Sequence, residues 1–344
     1  MKKRAILKYI IITGVALMCM ALVVVVGVYS RVYKKNTTKS TYVYIPSGAD
    51  FDTVVKIMKE AEVLKNINSF IWLAKKKNYP NHIYSGKYKI EGNTNNNDLI
   101  NKFRSGHQEP VKVIFNSVRT LSQLAGKIAR QIEPDSVTLL QHFYNDSIIQ
   151  NYGLKRETIS CIFLPNTYEF WWNCSAATFM NKMHKEYMRF WNTNRKNQAK
   201  AINLTPQEVI TLASIVDEET LYNDEMPRVA GVYINRLKKR MHLQADPTLK
   251  FALGDFSIKR VLNRHKKIDS PYNTYKRYGL PPGPISIPSI AAIKAVLNYE
   301  THNFLYFCAK PDFSGYHNFA KTLSKHNINA RNYQRALNKQ RIWR

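Results

Sequence analysis

Cysteine is scarce in this sequence, with four residues in a chain of 344. That number is too small for a disulfide framework of the kind that holds small secreted domains together. Cys161 and Cys174 are able to pair if the chain is exported, although two buried thiols are the favoured interpretation. No group of cysteines and histidines has the spacing of a zinc site, so the sequence predicts no bound metal.

Acidic residues are also few, with 24 Asp and Glu against 52 Lys and Arg and a formal net charge of +28. Such an excess indicates an anionic partner, whether nucleic acid, a lipid surface or an acidic polymer. The sequence contains no recognisable nucleic-acid-binding motif, P-loop or dinucleotide fingerprint. The segment 279–283 has two glycines, but neighbouring prolines make it too rigid for a phosphate-binding loop. No cofactor is predicted.

One long apolar run stands near the start of the chain, at residues 9–30. It is uncharged and long enough to span a bilayer as a helix, so it predicts an uncleaved transmembrane anchor. A cleaved signal peptide is the alternative, but its apolar region would be shorter and no clear small-residue cleavage site precedes Arg31. Basic residues flank the run almost equally, so charge alone does not give its orientation.

The most informative stretch is an apolar helical pattern that ends in three acids. Thr205 and Pro206 suit the N-cap and the first helical position. Apolar residues then recur at helical spacing, at Val209, Leu212, Ile215 and Val216. Glu219 continues this stripe, whereas Glu218 points to the opposite side and Asp217 lies at the border. A carboxyl group on the apolar side loses hydration, which raises its pKa, so Glu219 is a candidate general acid; a solvated helix end is the alternative.

Several motifs follow this stretch in order. They lie at residues 229–236 (VAGVYINR), 241–248 (MHLQADPT), 272–275 (YNTY), 279–285 (GLPPGPI), 317–319 (HNF) and 324–327 (SKHN). Together with the Glu219 stretch they resemble the endolytic murein transglycosylase (YceG-like) family, and the resemblance covers most of the chain. It implies that Glu219 is the catalytic acid, because Glu219 matches the second Glu of the family motif A-S-I-[IV]-E-x-E-T.

The resemblance also implies substrate contacts from residues beyond Glu219. They are Asn235, Arg236, Gln244, Asp246, Tyr272, Asn273 and Tyr275. Gln244 is expected to hydrogen-bond the substrate, and Asp246 to order its loop. Arg236 suits a substrate carboxylate, with a surface arginine near a helix C-terminus as the alternative. His317 and His326 have no third ligand nearby, so structural or hydrogen-bonding roles are favoured over metal binding.

One further candidate precedes the acidic stretch. Tyr168 suits stacking on a sugar ring, with core packing as the alternative. Pro165, Thr167 and Tyr168 match a family motif, whereas Asn166 replaces its acid. The family's preceding Glu-Gly pair is replaced by Ser and Cys at 160–161, so no acid is expected to assist catalysis here.

The predicted fold class is α+β, with a transmembrane helix, a small LysM-like domain and a mixed catalytic domain. The predicted segments are a cytoplasmic N-terminus at 1–8, the transmembrane helix at 9–30, a stalk at 31–40, the LysM-like domain at 41–115, the catalytic domain at 116–330 and a basic tail at 331–344. Within the catalytic domain, a basic linker is predicted at 194–201 and a strand and loop at 243–248. Along the chain, a predicted strand at 41–45 is followed by helices at 50–65 and 67–77 and by a strand at 84–90, an order that resembles the LysM-like domain of the family. Such a domain is expected to bind glycan, with a spacer role as the alternative.

The resemblance implies a lytic transglycosylase anchored in the cell inner membrane, with its catalytic domain in the periplasm. It is expected to cleave the MurNAc-GlcNAc bond within peptidoglycan strands, to leave a 1,6-anhydro end and so to terminate nascent strands beside the cell-wall synthesis machinery. The expected partners are peptidoglycan and the membrane, not nucleic acid. Murein fits the charge because its stem peptides and lactyl groups are acidic. The alternatives are a non-catalytic wall-binding anchor and, from the charge of +28, a membrane-tethered nucleic-acid binder.

Overall fold

The computed structural model describes residues 2–258 and 260–340, with the backbone alone for residues 2–5. The chain divides into two compact units. Unit 1 reaches to residue 112 and includes 131–133 and 169–174, and unit 2 comprises 113–130, 134–168 and the chain from 175. The mixture of helices and two-stranded sheets confirms the predicted α+β class.

Unit 1 is built on one antiparallel strand pair and three short helices. Its elements are α1 (Lys2–Tyr33), β1 (Thr41–Ile45), α2 (Phe51–Glu60), α3 (Ile67–Lys76), β2 (Gly86–Ile90) and α4 (Asn96–Arg104). β1 lies antiparallel to β2, with Thr41 opposite Ile90. Alternate side chains of both strands enter one core, which includes Val43 and Tyr88. The predicted helix at 50–65 ends early, at Glu60, whereas β1 has the predicted bounds.

The segment predicted as a stalk is packed into unit 1. Asn36 and Thr37 are buried, and the Asn36 amide donates to Asn96 Oδ1 at 2.7 Å. The Thr37 hydroxyl donates to the backbone oxygen of Glu91 at 2.7 Å. Because buried amides and hydroxyls are stabilised only when they are hydrogen-bonded, these contacts require the segment to fold with the unit. The prediction of a separate polar stalk was wrong.

The first helix has the composition of a membrane span. Within the described residues, Ile6–Tyr33 is the one helical segment long and apolar enough to cross a bilayer. Apolar side chains are exposed all along it, among them Ile10, Leu17 and Val24. Its C-terminal end is held by unit 1, because the Asn96 amide donates to the backbone oxygen of Arg31 at 2.9 Å.

Unit 2 contains most of the helices. The elements from the end of unit 1 onward are β3 (Pro110–Phe115), α5 (Leu121–Ala129), α6 (Ser136–Phe143), α7 (Asp146–Asn151), β4 (Asn166–Trp171), α8 (Ala176–Phe190), α9 (Thr193–Ala201), α10 (Pro206–Glu219), α11 (Met226–Lys238), α12 (Asp246–Leu253), α13 (Ile290–Leu297), β5 (Tyr306–Ala309), β6 (His317–Ala320) and α14 (Leu323–Lys339). β3 pairs with β4, and β5 pairs antiparallel with β6. α10 lies at the centre, packed against α11 and α13.

Three predictions of local structure in unit 2 need correction. The basic linker at 194–201 is helix α9, capped by Asn192 and held by the buried Ala199. The predicted strand at 243–248 is an extended loop that enters α12 at Asp246. The predicted basic tail is helical as far as Lys339, and its residues 341–344 lie outside the described residues.

Candidate active site

Glu219 is the last residue of α10, a helix with a strongly defined start. The Thr205 hydroxyl accepts from the Glu208 backbone N–H, and the Glu208 carboxylate accepts from the Thr205 backbone N–H at 2.8 Å. This capping box, with Pro206 at the first position, satisfies amide groups that the helix itself leaves unpaired. The residues from Val209 to Val216 are all buried. The packing fixes the C-terminal end of the helix, and therefore the position of Glu219.

The surroundings of Glu219 favour its protonated form. The pKa of Glu219 is raised overall from 4.5 to about 7, chiefly by burial, and the negative charge of Asp246 acts in the same direction. The Tyr233 hydroxyl donates to Glu219 Oε1 at 2.7 Å, and this hydrogen bond lowers the pKa. The positive charges of Lys250 and Arg236 lower it further. The balance leaves a large fraction of Glu219 protonated near neutral pH, as a general acid requires.

The raised pKa of Glu219 has a consequence for stability. Because the pKa of Glu219 in the folded state is higher than the ordinary 4.5, the contribution of its protonated side chain to the stability of the fold is full below about pH 4.5. This contribution is lost as the pH rises through about 7. Glutamine has no charge to bury and keeps an oxygen that accepts from Tyr233. We therefore expect Glu219→Gln to stabilise the fold by about 1–3 kcal/mol at about pH 8, with little gain at about pH 4. Thermal melts of both proteins across this range measure it, and a gain that does not depend on pH would contradict it.

The two acids before Glu219 are engaged elsewhere. Glu218 is exposed, and its carboxylate lies 3.2 Å from the Arg119 guanidinium. Asp217 accepts from the Ser289 hydroxyl at 2.6 Å and from the Ser289 backbone N–H at 3.1 Å. Since Ser289 is the N-cap of α13, Asp217 ties the end of α10 to the start of α13. These directions agree with the predicted helical phase of the three acids.

Glu219 faces a cleft of about 340 Å³, near the lower end of the range for small-molecule sites. The residues around it come from α10, α11, α12, β5, β6, α14 and the loops before α12 and α13. They include Glu219, Tyr233, Arg236, Gln244, Asp246, Tyr275, Tyr306, Phe307, His317 and His326. A larger hollow of about 620 Å³ lies beside Arg119 and Glu218, but there the carboxylate is already paired with the arginine. The Glu219 cleft is therefore the candidate active site.

Arg236 holds the walls of the cleft together. Its Nε donates to the backbone oxygen of Leu305 at 2.7 Å, and its Nη1 donates to that of Leu243 at 2.7 Å. The residue is 8% exposed, and its guanidinium lies over the Tyr306 ring. These contacts join α11 to β5 and to the loop before α12. Arg236 is thus a buried residue of the cleft rather than a surface arginine.

The loop before α12 brings Gln244 and Asp246 into the cleft. The Gln244 backbone has a φ of +49°, a conformation that is costly for a residue other than glycine and that clusters at functional sites. Its N–H donates to the backbone oxygen of Thr274 at 3.0 Å, while its side chain is exposed. Asp246 accepts from the Tyr275 hydroxyl at 2.5 Å. The segment at 272–275 therefore supports the loop that carries both side chains.

The structure does not bring the other four predicted site residues into this cleft. The Asn235 amide donates to two backbone oxygens just before β5. Asn273 is fully buried, and its amide donates to two backbone oxygens of the preceding loop. Tyr272 packs against Phe251 beside a different hollow. The Tyr168 hydroxyl donates to a backbone oxygen and its ring is buried, which is the core-packing alternative.

The residues that line the cleft but that the sequence had not assigned to it include Tyr233, His317 and His326. Tyr233 lies three residues before Arg236 and so on the same side of α11, a spacing that was visible in the sequence. The histidines belong to the C-terminal motifs, but no periodic pattern links them to Glu219. Burial, with a smaller effect of the Arg236 charge, lowers the pKa of His326. Among residues 2–258 and 260–340, no group of three or more His, Cys, Asp or Glu side chains is placed to hold a metal ion.

Comparison with known proteins gives consistent matches. The model of the YceG-like family matches residues 43–332. A Bacillus subtilis (strain 168) protein named endolytic murein transglycosylase is 29% identical over 86% of this chain and 85% of its own length. A protein of the same name from Streptococcus pneumoniae (strain D39) is 26% identical over 80% of this chain, which spans 55% of that relative's length. The crystal structure of a yceG-like protein from Listeria monocytogenes is 27% identical, covers 84% of this chain and 98% of its own, and has a TM-score of 0.56.

Proposed function

This chain belongs to the YceG-like family, and we propose that it is a peptidoglycan lytic transglycosylase that cleaves within glycan strands. Relatives named endolytic murein transglycosylase support this activity. The observation that carries the proposal is a carboxyl group with a pKa of about 7, that of Glu219, which faces a cleft from the end of a buried helix. The bond cleaved is that between MurNAc and GlcNAc, and the product has a 1,6-anhydro-MurNAc end.

Glu219 starts the reaction as the general acid. It donates its proton to the oxygen that bridges the two sugars while the bond from that oxygen to C1 of MurNAc breaks. The C6 oxygen of the same MurNAc then forms the new bond to C1 as the C6 hydroxyl gives its proton to a base in the cleft. The reaction consumes no water and needs no cofactor. The raised pKa of Glu219 supports the role because the group must hold a proton when substrate arrives.

The cleft contains one other carboxylate, that of Asp246, among the described residues that line it. Hydrolysing glycosidases usually use two carboxyl groups, one as acid and the other as base or nucleophile. The Tyr275 hydroxyl already donates to Asp246 at 2.5 Å, and the residue opens helix α12. These contacts favour a role for Asp246 in ordering the loop, and they leave Glu219 as the group that acts on the substrate.

We also propose that α1 spans the inner membrane and that the rest of unit 1 and all of unit 2 lie outside the cytoplasm, where peptidoglycan is. The apolar segment Ile6–Tyr33 supports this, and the contact of its last turns with unit 1 predicts that unit 1 lies at the membrane surface. Sequencing the mature N-terminus tests the anchor, because a start beyond residue 30 would show that the segment is removed.

The order β1, α2, α3, β2 of unit 1 supports a LysM-like domain that binds glycan. Such binding would hold nascent strands beside the cell-wall synthesis machinery that makes them. Binding of purified glycan strands to unit 1 within the full chain, measured with the Glu219→Gln protein, tests this role.

The activity itself is tested by the mass of the products. Purified glycan strands are incubated with the wild-type protein, and the new ends are analysed by mass spectrometry. We expect internal cleavage and ends one water lighter than hydrolysed ends. A protein that binds strands but leaves them intact would be the non-catalytic wall-binding anchor instead.

Gln244 provides a test of how the substrate is held. Its exposed amide lines the cleft from a loop whose backbone is fixed by Thr274. Removing a hydrogen bond to the substrate costs about 1 kcal/mol or more, so we expect Gln244→Ala to lower turnover by about fivefold or more with an unchanged melting temperature. The matched control is Gln198→Ala, since Gln198 lies on α9 and pairs with Asn298. Normal turnover in Gln244→Ala would show that the amide serves the loop only.

A further inference from the structure

A buried carboxylate holds the imidazole of His317 in the wall of the Glu219 cleft. Glu225 precedes α11 and is 4% exposed. Its Oε2 accepts from His317 Nδ1 at 2.7 Å, and its Oε1 accepts from the His317 backbone N–H at 2.8 Å. One carboxylate thus fixes both the backbone and the ring of His317. The Phe307 ring, edge-on at 5.2 Å between centroids, restricts the imidazole further.

This pairing determines the character of the other ring nitrogen. A carboxylate only accepts hydrogen bonds, so Nδ1 carries the hydrogen. In the neutral ring Nε2 then keeps its lone pair and acts as an acceptor. Nε2 has no hydrogen-bond partner among residues 2–258 and 260–340, and the ring lines the cleft. The cleft therefore contains a base that no contact within the described protein uses.

His317 and Glu219 are linked by two short series of contacts. Thr220 directly follows Glu219, and its hydroxyl donates at 2.9 Å to Glu225 Oε2, the same oxygen that His317 Nδ1 binds. On the other side, the Phe307 ring lies between His317 and Tyr233, at centroid distances of 5.2 and 5.9 Å, and Tyr233 binds Glu219. Both side chains line the cleft in which a sugar would bind.

We propose that His317 is the catalytic base that takes the proton of the MurNAc C6 hydroxyl, so that two residues share the two proton transfers. This inference rests on the proposed lytic transglycosylase function. The bridging oxygen receives the proton of Glu219 as its bond to C1 breaks, and the C6 oxygen forms the new bond to C1 as its proton moves to His317 Nε2. The imidazolium then returns a proton to the Glu219 carboxylate through solvent, so the protein gains and loses nothing.

The charges around His317 suit this role. The Glu225 carboxylate stabilises the imidazolium and holds the ring in one orientation, as the carboxylate of a carboxylate–histidine pair does in other active sites. The other titratable groups that face the cleft are Glu219, Tyr233, Arg236, Asp246, Tyr275, Cys308 and His326. Of these, Arg236 is directed to backbone oxygens, and Asp246 to the Tyr275 hydroxyl.

Kinetics of two variants of the full-length protein test the assignment. His317→Ala removes the base, and Glu225→Gln offers an amide that donates to Nδ1 and so places the hydrogen on Nε2. We expect kcat for glycan cleavage to fall by about 10²-fold or more in both, with KM nearly unchanged. Added imidazole should restore part of the rate of His317→Ala. His142→Asn, on α6 and outside the cleft, is the control and should match the wild type.

The outcomes separate this inference from the function on which it rests. If His317→Ala is folded and keeps kcat within a few-fold of wild type, the inference is overturned while the function stands. If His317→Ala does not fold, the Glu225→Gln variant provides the test instead, because a wild-type kcat in Glu225→Gln also overturns the inference. A wild-type protein that makes no anhydro ends overturns the proposed function itself.

Discussion

Replacing Glu219 with glutamine is expected to reduce glycan cleavage to near background. The substitution keeps the volume of the side chain and an oxygen that accepts from Tyr233, so the fold should survive. It removes the proton that the bridging oxygen needs when the glycosidic bond breaks. General acid–base catalysis typically contributes about 10²–10⁴-fold, and no other carboxyl group in the cleft is placed to replace Glu219 among the residues described there. Release of new strand ends per unit time measures the loss.

The neighbouring acids serve as matched controls for that loss. Glu218→Gln removes a surface ion pair with Arg119, which is worth little, so its activity should stay close to wild type. Asp217→Asn weakens the link between α10 and α13, so its activity should fall between the other two. An essential Glu218 together with a dispensable Glu219 would show that the helical phase and the family match are both misread.

The rate of cleavage should fall steeply with pH above neutrality. In the proposed mechanism Glu219 acts only when protonated, and its pKa is raised to about 7, so each further pH unit should lower the rate by roughly tenfold. Two units above the pKa the rate should be about one hundredth of its maximum. A pH–rate profile of the wild-type protein with purified glycan strands measures this limb.

The Tyr233→Phe variant tests independently whether Glu219 controls the fall in rate above neutral pH. The hydrogen bond from Tyr233 lowers the pKa of Glu219, so its removal should move the alkaline limb to higher pH. Phenylalanine keeps the ring that meets Phe307 edge-on. A limb that stays in place, or that moves to lower pH, would mean that a group other than Glu219 controls it.

The position of Glu219 was predictable because the signals for α10 are local. Thr205 and Pro206 mark its start, the apolar spacing sets its phase, and the structure has both. The helix α9 was missed because its residues 193–201 are almost entirely polar, and one buried side chain, Ala199, gives no periodic pattern. Tertiary packing overrode the composition there.

The composition of the cleft was only partly predictable. Gln244, Asp246, Arg236 and Tyr275 do surround Glu219, and the family motifs had indicated them. Asn235 and Asn273 stand in the same motifs, yet their amides satisfy backbone oxygens inside the fold. A motif does not say which of its residues face the substrate, because that depends on how the loop turns.

The position of His317 in the cleft could not be predicted from the sequence. This residue lies nearly one hundred residues after Glu219, and the carboxylate that orients it, Glu225, belongs to another element. No spacing rule links three residues that meet through β6, the start of α11 and the end of α10. The polar segment at 36–37 was misread for a similar reason, since its partners lie 54 and 60 residues further along the chain.

The central claim is that Glu219 drives an internal ring closure rather than a hydrolysis, and cleavage in water enriched in heavy oxygen tests it most directly. A lytic transglycosylase takes no oxygen from solvent, so the new MurNAc ends should carry no label and should be one water lighter than reducing ends. A hydrolase that used Asp246 as its second carboxylate would place one solvent oxygen at every new end. Unlabelled anhydro ends that disappear in Glu219→Gln are the predicted result, and labelled reducing ends would contradict the account.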